Sequence, residues 1–202
     1  DAFADPLNGI SDIRAKRLRT VDRAEKVFGE DGLRLMRLAR QAGQLGFSPS
    51  ADCLAGAKAN AALIRDISPE RIWAELCAVL KADKRYDNPL GHYEGLKALE
   101  ETGVLGEILP ELALGKDMVQ RKDFHKYDVL YADEEVRLAA LLHDVGKPFC
   151  TLRDGDSHDH AEEGARIAGD ILKRLKAPKH VAAETADLVL WHMYDFDCRA
   201  KE

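Results

Sequence analysis

Apolar residues recur at three- and four-residue steps along nearly all of this 202-residue chain, the period an α-helix uses to build one buried face. Between Glu30 and Gln44, Leu33, Met36 and Ala39 keep that step, with Leu35 and Leu38 beside them. Ser68-Pro69 sets a capping hydroxyl before a proline at the first helical position, and Ile72, Leu76, Val79 and Leu80 follow as a stripe. Leu96, Leu99, Val104, Leu105, Ile108 and Leu109 continue the pattern, punctuated by Gly103 and closed by Pro110. Further helices are expected at 136–142, stopping at Val145-Gly146-Lys147-Pro148, around Ile167, Ile171 and Leu175, and from Ala186 to Trp191. Arg19-Thr20-Val21 is the one weak strand candidate. The expected fold class is all-α, in two parts that divide between Glu111 and Asp128.

Composition narrows the class. At 46% hydrophobic the chain can bury a core, and at 33% charged with no run of ~18 apolar residues it does not read as a membrane span. The net charge of −6 argues against a general nucleic-acid binder. The charge is uneven, however, with nine basic against five acidic residues from Asp12 to Arg40. Such a stretch suits either a phosphate-rich partner or a solvated helix face. Cys53, Cys77, Cys150 and Cys198 lack C-x-x-C spacing, which fits reduced thiols in a cytoplasmic protein.

Two constellations carry chemistry. In Glu30-Asp31-Gly32-Leu33-Arg34, a helix would put Asp31 and Arg34 on one face, with Arg37 and Gln41 continuing the row. A carboxylate beside a guanidinium can read a base edge; it can equally complement a helix dipole with an ion pair three residues on. In Leu141-Leu142-His143-Asp144-Val145-Gly146-Lys147-Pro148, an apolar helix ends in adjacent His and Asp. That pair could hold a metal that activates water, or be a satisfied core histidine with its neighbour.

The runs Asp5-Pro-Leu-Asn-Gly-Ile-Ser-Asp-Ile13, Ala24-Glu-Lys-Val-Phe28 and Glu30 to Phe47 resemble the neck of the tRNA nucleotidyltransferases, the CCA-adding enzymes and poly(A) polymerases. Ser68-Pro-Glu-Arg-Ile72, Leu99-Glu-Glu-Thr-Gly-Val-Leu105 and Ile108-Leu-Pro-Glu-Leu112 are similar to that family's body. The resemblance implies that Asp31 and Arg34 template the incoming CTP or ATP base with support from Arg37. It also implies tRNA and nucleotides as partners, phosphate contacts from the Arg14–Arg40 stretch, and no membrane; oligomeric state stays open. The family's head, with its Gly-Ser and D-x-D segments, is not in this sequence. The opening on Asp1 rather than Met makes a head upstream the expectation.

Leu141 to Pro148 resembles the HD phosphohydrolase signature, and HD domains follow the neck and body in many CCA-adding enzymes. That resemblance implies a divalent metal ion (magnesium, manganese or nickel) held by His143, Asp144, His160 and His192, with His143 and Asp144 catalytic. There are departures from the pattern. The early His expected after a segment like His125–Leu130 is missing, Tyr131-Ala132-Asp133 coming directly afterwards as if a stretch had been dropped. The late Asp that usually follows a His is replaced by Met193 after His192, with Asp195 and Asp197 further on. His158 and His160 each suit a ligand or a solvated turn equally, His160 matching the family's additional histidine the better of the two. His92 and His180 read as surface residues, and Trp73 and Trp191 as core. The expected layout is a neck and body over 1–115 and an HD domain over 116–202. The expected function is tRNA 3′-end processing. The alternatives are an HD phosphohydrolase acting on nucleotide phosphoesters and a non-catalytic RNA-binding module.

Overall fold

The computed structural model describes residues 4–115 and 134–193, the side chain of residue 134 excepted, and separates into two compact units, Asp1–Ile108 and Leu109–Glu202. That division lies seven residues before the 115/116 boundary expected from sequence. His125, Asp195, Asp197 and Cys198 lie outside the described residues. Twelve α-helices, two short 3-10 helices and one two-residue strand pair make up the regular structure of the described residues, an all-α fold.

In the first unit Asp5 initiates α1 (Gly9–Arg14): its two carboxylate oxygens accept the amides of Gly9 at 2.7 Å and Ile10 at 3.0 Å. Asp12 then accepts from Arg17 Nε at 3.1 Å and Arg19 Nε at 2.9 Å, and Arg19 Nη2 donates to the Leu7 carbonyl at 2.7 Å. The D-P-x-x-G-x-x-D run is therefore a capping and bracing device. It delivers the chain into β1 (Arg17–Leu18), which pairs in parallel with β2 (Ser48–Pro49). The strand falls two residues before the Arg19–Val21 candidate. β2 follows directly after α3, whose end brings Ser48 under Lys16.

The core of this unit is α3 (Leu33–Leu45), packed against α5 (Pro69–Leu80) and α6 (Gly91–Glu101); α2 (Ala24–Glu30) packs on α4 (Ala51–Ala59). Leu35, Met36, Leu76, Val79 and Leu99 are buried, and truncating any one of them should cost about 2–5 kcal/mol. Gly43 on α3 and Gly91 at the start of α6 touch backbone to backbone; a Cβ on Gly91 would lie 2.7 Å from the Gly43 carbonyl oxygen. The short α7 (Val104–Ile108) completes the unit. Ser50 caps α4 through its hydroxyl, whereas Ser68 begins α5 without a side-chain cap bond.

The second unit starts with α8 (Pro110–Ala113), so Pro110 opens a helix where the sequence reading closed one; proline's fixed φ suits a first helical turn. The same physics applies at Pro148. Here α9 (Glu134–Leu142) stops, and α10 (Lys147–Asp154) begins one residue before the proline. α11 (His160–Arg174) packs against α10 and α12 (Lys179–Trp191), and α12 also packs on α9. Arg174 grips Glu111 with two parallel bonds, Nη1–Oε1 at 2.5 Å and Nη2–Oε2 at 3.0 Å. α12 starts seven residues before the expected Ala186. Its inward row is Val181, Thr185 and Val189, which leaves Trp191 61% exposed rather than in the core. Trp73 is half-buried, His92 is half-buried rather than on the surface, and His180 is exposed.

Candidate functional site

In the first unit, Asp31 does not share a helical face with Arg34. Its backbone is extended (φ −153°, ψ 107°), and its Oδ1 accepts the Leu33 amide at 3.0 Å, fastening the entrance of α3. Arg34 instead pairs with Glu30, Nη1–Oε2 2.8 Å, and donates to the Val27 carbonyl at 2.7 Å. Arg34, Arg37 and Gln41 occupy positions i, i+3 and i+7 of α3 and line one cleft of about 510 Å³, shared with Leu18 to Asp22, Phe28 and Glu30. Asp31 does not line it. Arg40, next in the basic series, turns to α5, where Glu75 accepts from its Nε at 2.7 Å and faces Arg37 Nε at 3.6 Å. Much of the basic neck is therefore laced to carboxylates: Arg17 and Arg19 to Asp12, Lys26 to Asp22, Arg34 to Glu30, Arg40 to Glu75.

In the second unit three helix ends converge. His143 and Asp144 follow α9, His160 begins α11, and His192 follows α12. Asp144 Oδ1 lies 3.7 Å from His160 Nε2 and 3.9 Å from His192 Nε2. The two Nε2 atoms are 3.2 Å apart. Each histidine donates its Nδ1–H to a carbonyl three residues earlier: His143 to Ala140 at 2.9 Å, His160 to Ser157 at 2.6 Å, His192 to Val189 at 2.6 Å. In His160 and His192 those bonds fix the tautomer that turns Nε2 inward with its lone pair, whereas His143 directs its Nε2 at Asp144. Gly146 makes the convergence sterically feasible, because a Cβ there would collide with the His160 carbonyl and lie 2.6 Å from the Gly164 amide.

The charges are distributed asymmetrically around Asp144. Its Oδ2 accepts from Lys147 Nζ at 2.7 Å and from His143 Nε2 at 3.2 Å, leaving Oδ1 for the other two rings. Burial alone would raise this carboxyl, but the His143 and Lys147 hydrogen bonds hold it well below the usual carboxylate range. The hydrogen bond with Asp144 raises the His143 imidazole, against burial. His192 is pushed down, chiefly by burial and also by the neighbouring His143 and His160 charges. Asp144, His160 and His192 each offer one donor atom, all within 4.8 Å of one another, a set that fits a divalent cation. Of the four residues named as metal ligands from sequence, these three come together, and His143 faces the other oxygen of Asp144. His158 is exposed and turned toward Asp156, apart from the cluster. Lys147 and Glu30 escaped the sequence reading as site residues; their three- and four-residue spacing from Asp144 and Arg34 was the available signal.

Two families match. Residues 114–201 match the HD domain, and residues 46–114 match the family described as the probable RNA and SrmB-binding site of polymerase A. An A-adding tRNA nucleotidyltransferase of Deinococcus radiodurans is 33% identical, the alignment covering 95% of this chain and 48% of that protein. A multifunctional CCA protein of Polaromonas naphthalenivorans is 32% identical over 94% of this chain and 46% of its own length. The chain thus spans about half the length of the curated relatives it matches. A solved structure of a tRNA-processing enzyme (apo form 2) has the same fold at a TM-score of 0.54 and 21% identity, covering 98% of this chain and 52% of that one. The chain thus matches the polymerase A segment and the HD domain in succession, and it is similar to about half of the length of CCA-adding tRNA nucleotidyltransferases. No helix of the described residues is long and apolar enough to cross a membrane.

Proposed function

We propose that this chain serves tRNA 3′-end processing as the neck, body and HD portion of a CCA-adding nucleotidyltransferase. In this reading the α3 cleft receives the base of the incoming CTP or ATP, and tRNA is the polymeric partner. The observation that carries it is the alignment of Arg34, Arg37 and Gln41 along one cleft of nucleotide size. Arg34 supplies donors to the base edge, oriented by Glu30, and Arg37 supports it. Asp31, outside the cleft, positions the helix that presents them through its bond to the Leu33 amide, and acts on base selection through that helix. The test is photolabelling of the protein with an azido derivative of ATP or CTP. Label recovered between Leu18 and Gln41, and lost in Arg34→Ala, supports the reading; label recovered elsewhere, or undiminished in that variant, overturns it.

The Asp144, His160 and His192 cluster favours a second activity, hydrolysis of nucleotide phosphoesters by the HD unit. Two imidazoles and a carboxylate suit manganese or nickel better than magnesium, which prefers oxygen ligands throughout. A bound ion would polarise a phosphoryl oxygen or acidify water. The chain's own part is to orient three donor atoms and to keep Asp144 ionised through Lys147 and His143. Hydrolysis of 2′,3′-cyclic nucleotides that disappears in Asp144→Ala supports this reading; no hydrolysis with any of the three metals overturns it.

A further inference from the structure

The first unit carries two exposed tyrosines around a firmly held turn, Tyr86 on the turn itself and Tyr93 in the first turn of α6. Tyr86 is 57% and Tyr93 58% exposed, with Leu90 between them at 55%. The guanidinium of Arg85 lies 5.5 Å from the Tyr86 ring centroid, and Lys81, Lys84 and Arg85 are all exposed. From Lys81 to Tyr86 there are three cations against one acid, Asp83; Asp87 and Glu94 follow, the latter engaged by Asn88. The turn is pinned at three points. Asn88 Nδ2 donates to the Gly43 carbonyl at 2.8 Å and to Glu94 Oε2 at 2.8 Å, and the Gly91 amide donates to the Asn88 carbonyl at 2.8 Å. The contact of Gly91 with Gly43 leaves no room for the turn to shift inward.

Large rings held in water on a rigid support, among cations, have the chemistry that recognises unpaired nucleic-acid bases. Every base offers a π-face to a ring, and the neighbouring cations attract the phosphates between them. A pinned backbone also fixes where the rings are presented before a ligand arrives, which lowers the ordering cost of binding. We propose that the segment from Lys84 to Tyr93, the turn and the start of α6, is a stacking platform for unpaired RNA bases, with Tyr86 and Tyr93 supplying ring faces and Lys84 and Arg85 contacting phosphates. The proposal rests on the reading of this chain as tRNA-binding, and it adds the surface and the kind of RNA feature bound there.

The test is fluorescence anisotropy of this 202-residue chain with labelled tRNA trimmed of its 3′ CCA, and with a fully paired RNA duplex as control. Tyr86→Ala and Tyr93→Ala should each weaken tRNA binding about tenfold, on the scale of one lost stacking contact, while Tyr86→Phe and Tyr93→Phe stay within about twofold of wild type. Duplex binding should be unchanged in all four. Because these side chains are exposed, the variants leave the core intact. Wild-type binding that survives both alanine changes overturns the platform and leaves the tRNA reading standing. A loss that phenylalanine does not restore overturns stacking as its basis. No binding by the wild-type chain at low salt overturns the tRNA reading itself.

Discussion

The Nε2 atoms of His160 and His192 face each other at 3.2 Å although the residues lie 32 positions apart. With both Nδ1–H groups donated to backbone carbonyls, two lone pairs meet beside Asp144 Oδ1, and only a proton or a cation between them relieves the repulsion. Titration of the protein with manganese or nickel should therefore show a single site by calorimetry. His160→Ala or His192→Ala should each weaken it by about tenfold or more. Equal affinity in both variants and the wild type would remove the cluster as the site.

Asp31 acts on the cleft through the helix it fastens. Its Oδ1 bond to the Leu33 amide survives in Asp31→Asn, since asparagine caps about as well as aspartate. The variant should unfold in urea within about 0.5 kcal/mol of wild type and keep its preference for CTP and ATP over other nucleotides. Lost selection would instead place the carboxylate itself at the base.

Gly146→Ala should unfold the second unit more easily by about 1–3 kcal/mol, because the added methyl meets the backbone of His160 and Gly164 rather than a movable side chain. The same displacement separates Asp144 from His160, so metal affinity should fall alongside stability. A neutral result in both measurements would contradict the close approach.

Glu111 and Arg174 make an acid-sensitive clasp. Burial would raise the Glu111 carboxyl, but the Arg174 hydrogen bond holds it below its ordinary 4.5. A depressed carboxyl contributes stability that is present above its unfolded value and is lost as pH falls through the folded one. Arg174 is 45% exposed, so solvent screens the pair, and Glu111→Gln should cost only about 0.5 kcal/mol at pH 7. Urea unfolding at pH 7 and pH 3 checks it: the difference from wild type should vanish at the lower pH, and a constant difference would contradict the assignment.

The helical architecture was legible because period alone reports a buried face, and the stripes through Leu35, Met36, Leu76 and Val79 are indeed buried. What period cannot report is where a helix changes phase. Asp31 looked helical beside Arg34, yet the break between α2 and α3 falls on it and turns it into an anchor. Trp191 reads as core because it closes the apolar stripe from Ala186, but Val181, Thr185 and Val189 set the inward row and leave it exposed. Histidine ligation depends on packing across long sequence separations. His143-Asp144 was conspicuous as a motif, whereas Lys147 read only as part of a stop, although it holds Asp144 Oδ2 at 2.7 Å. Proline is ambiguous for a physical reason: it can follow the end of one helix or sit in the first turn of the next, and Pro110 and Pro148 both sit in a first turn.

The most direct measurement is incorporation of labelled CTP and ATP into tRNA lacking its 3′ CCA, by the protein expressed from its complete reading frame. Wild type should add both nucleotides. Arg34→Ala should lose about 10-fold or more in kcat/KM, as expected for one charged hydrogen-bonding contact at the base edge. No incorporation by the wild type, or incorporation unchanged in Arg34→Ala, would contradict the assignment of the α3 cleft to the incoming nucleotide.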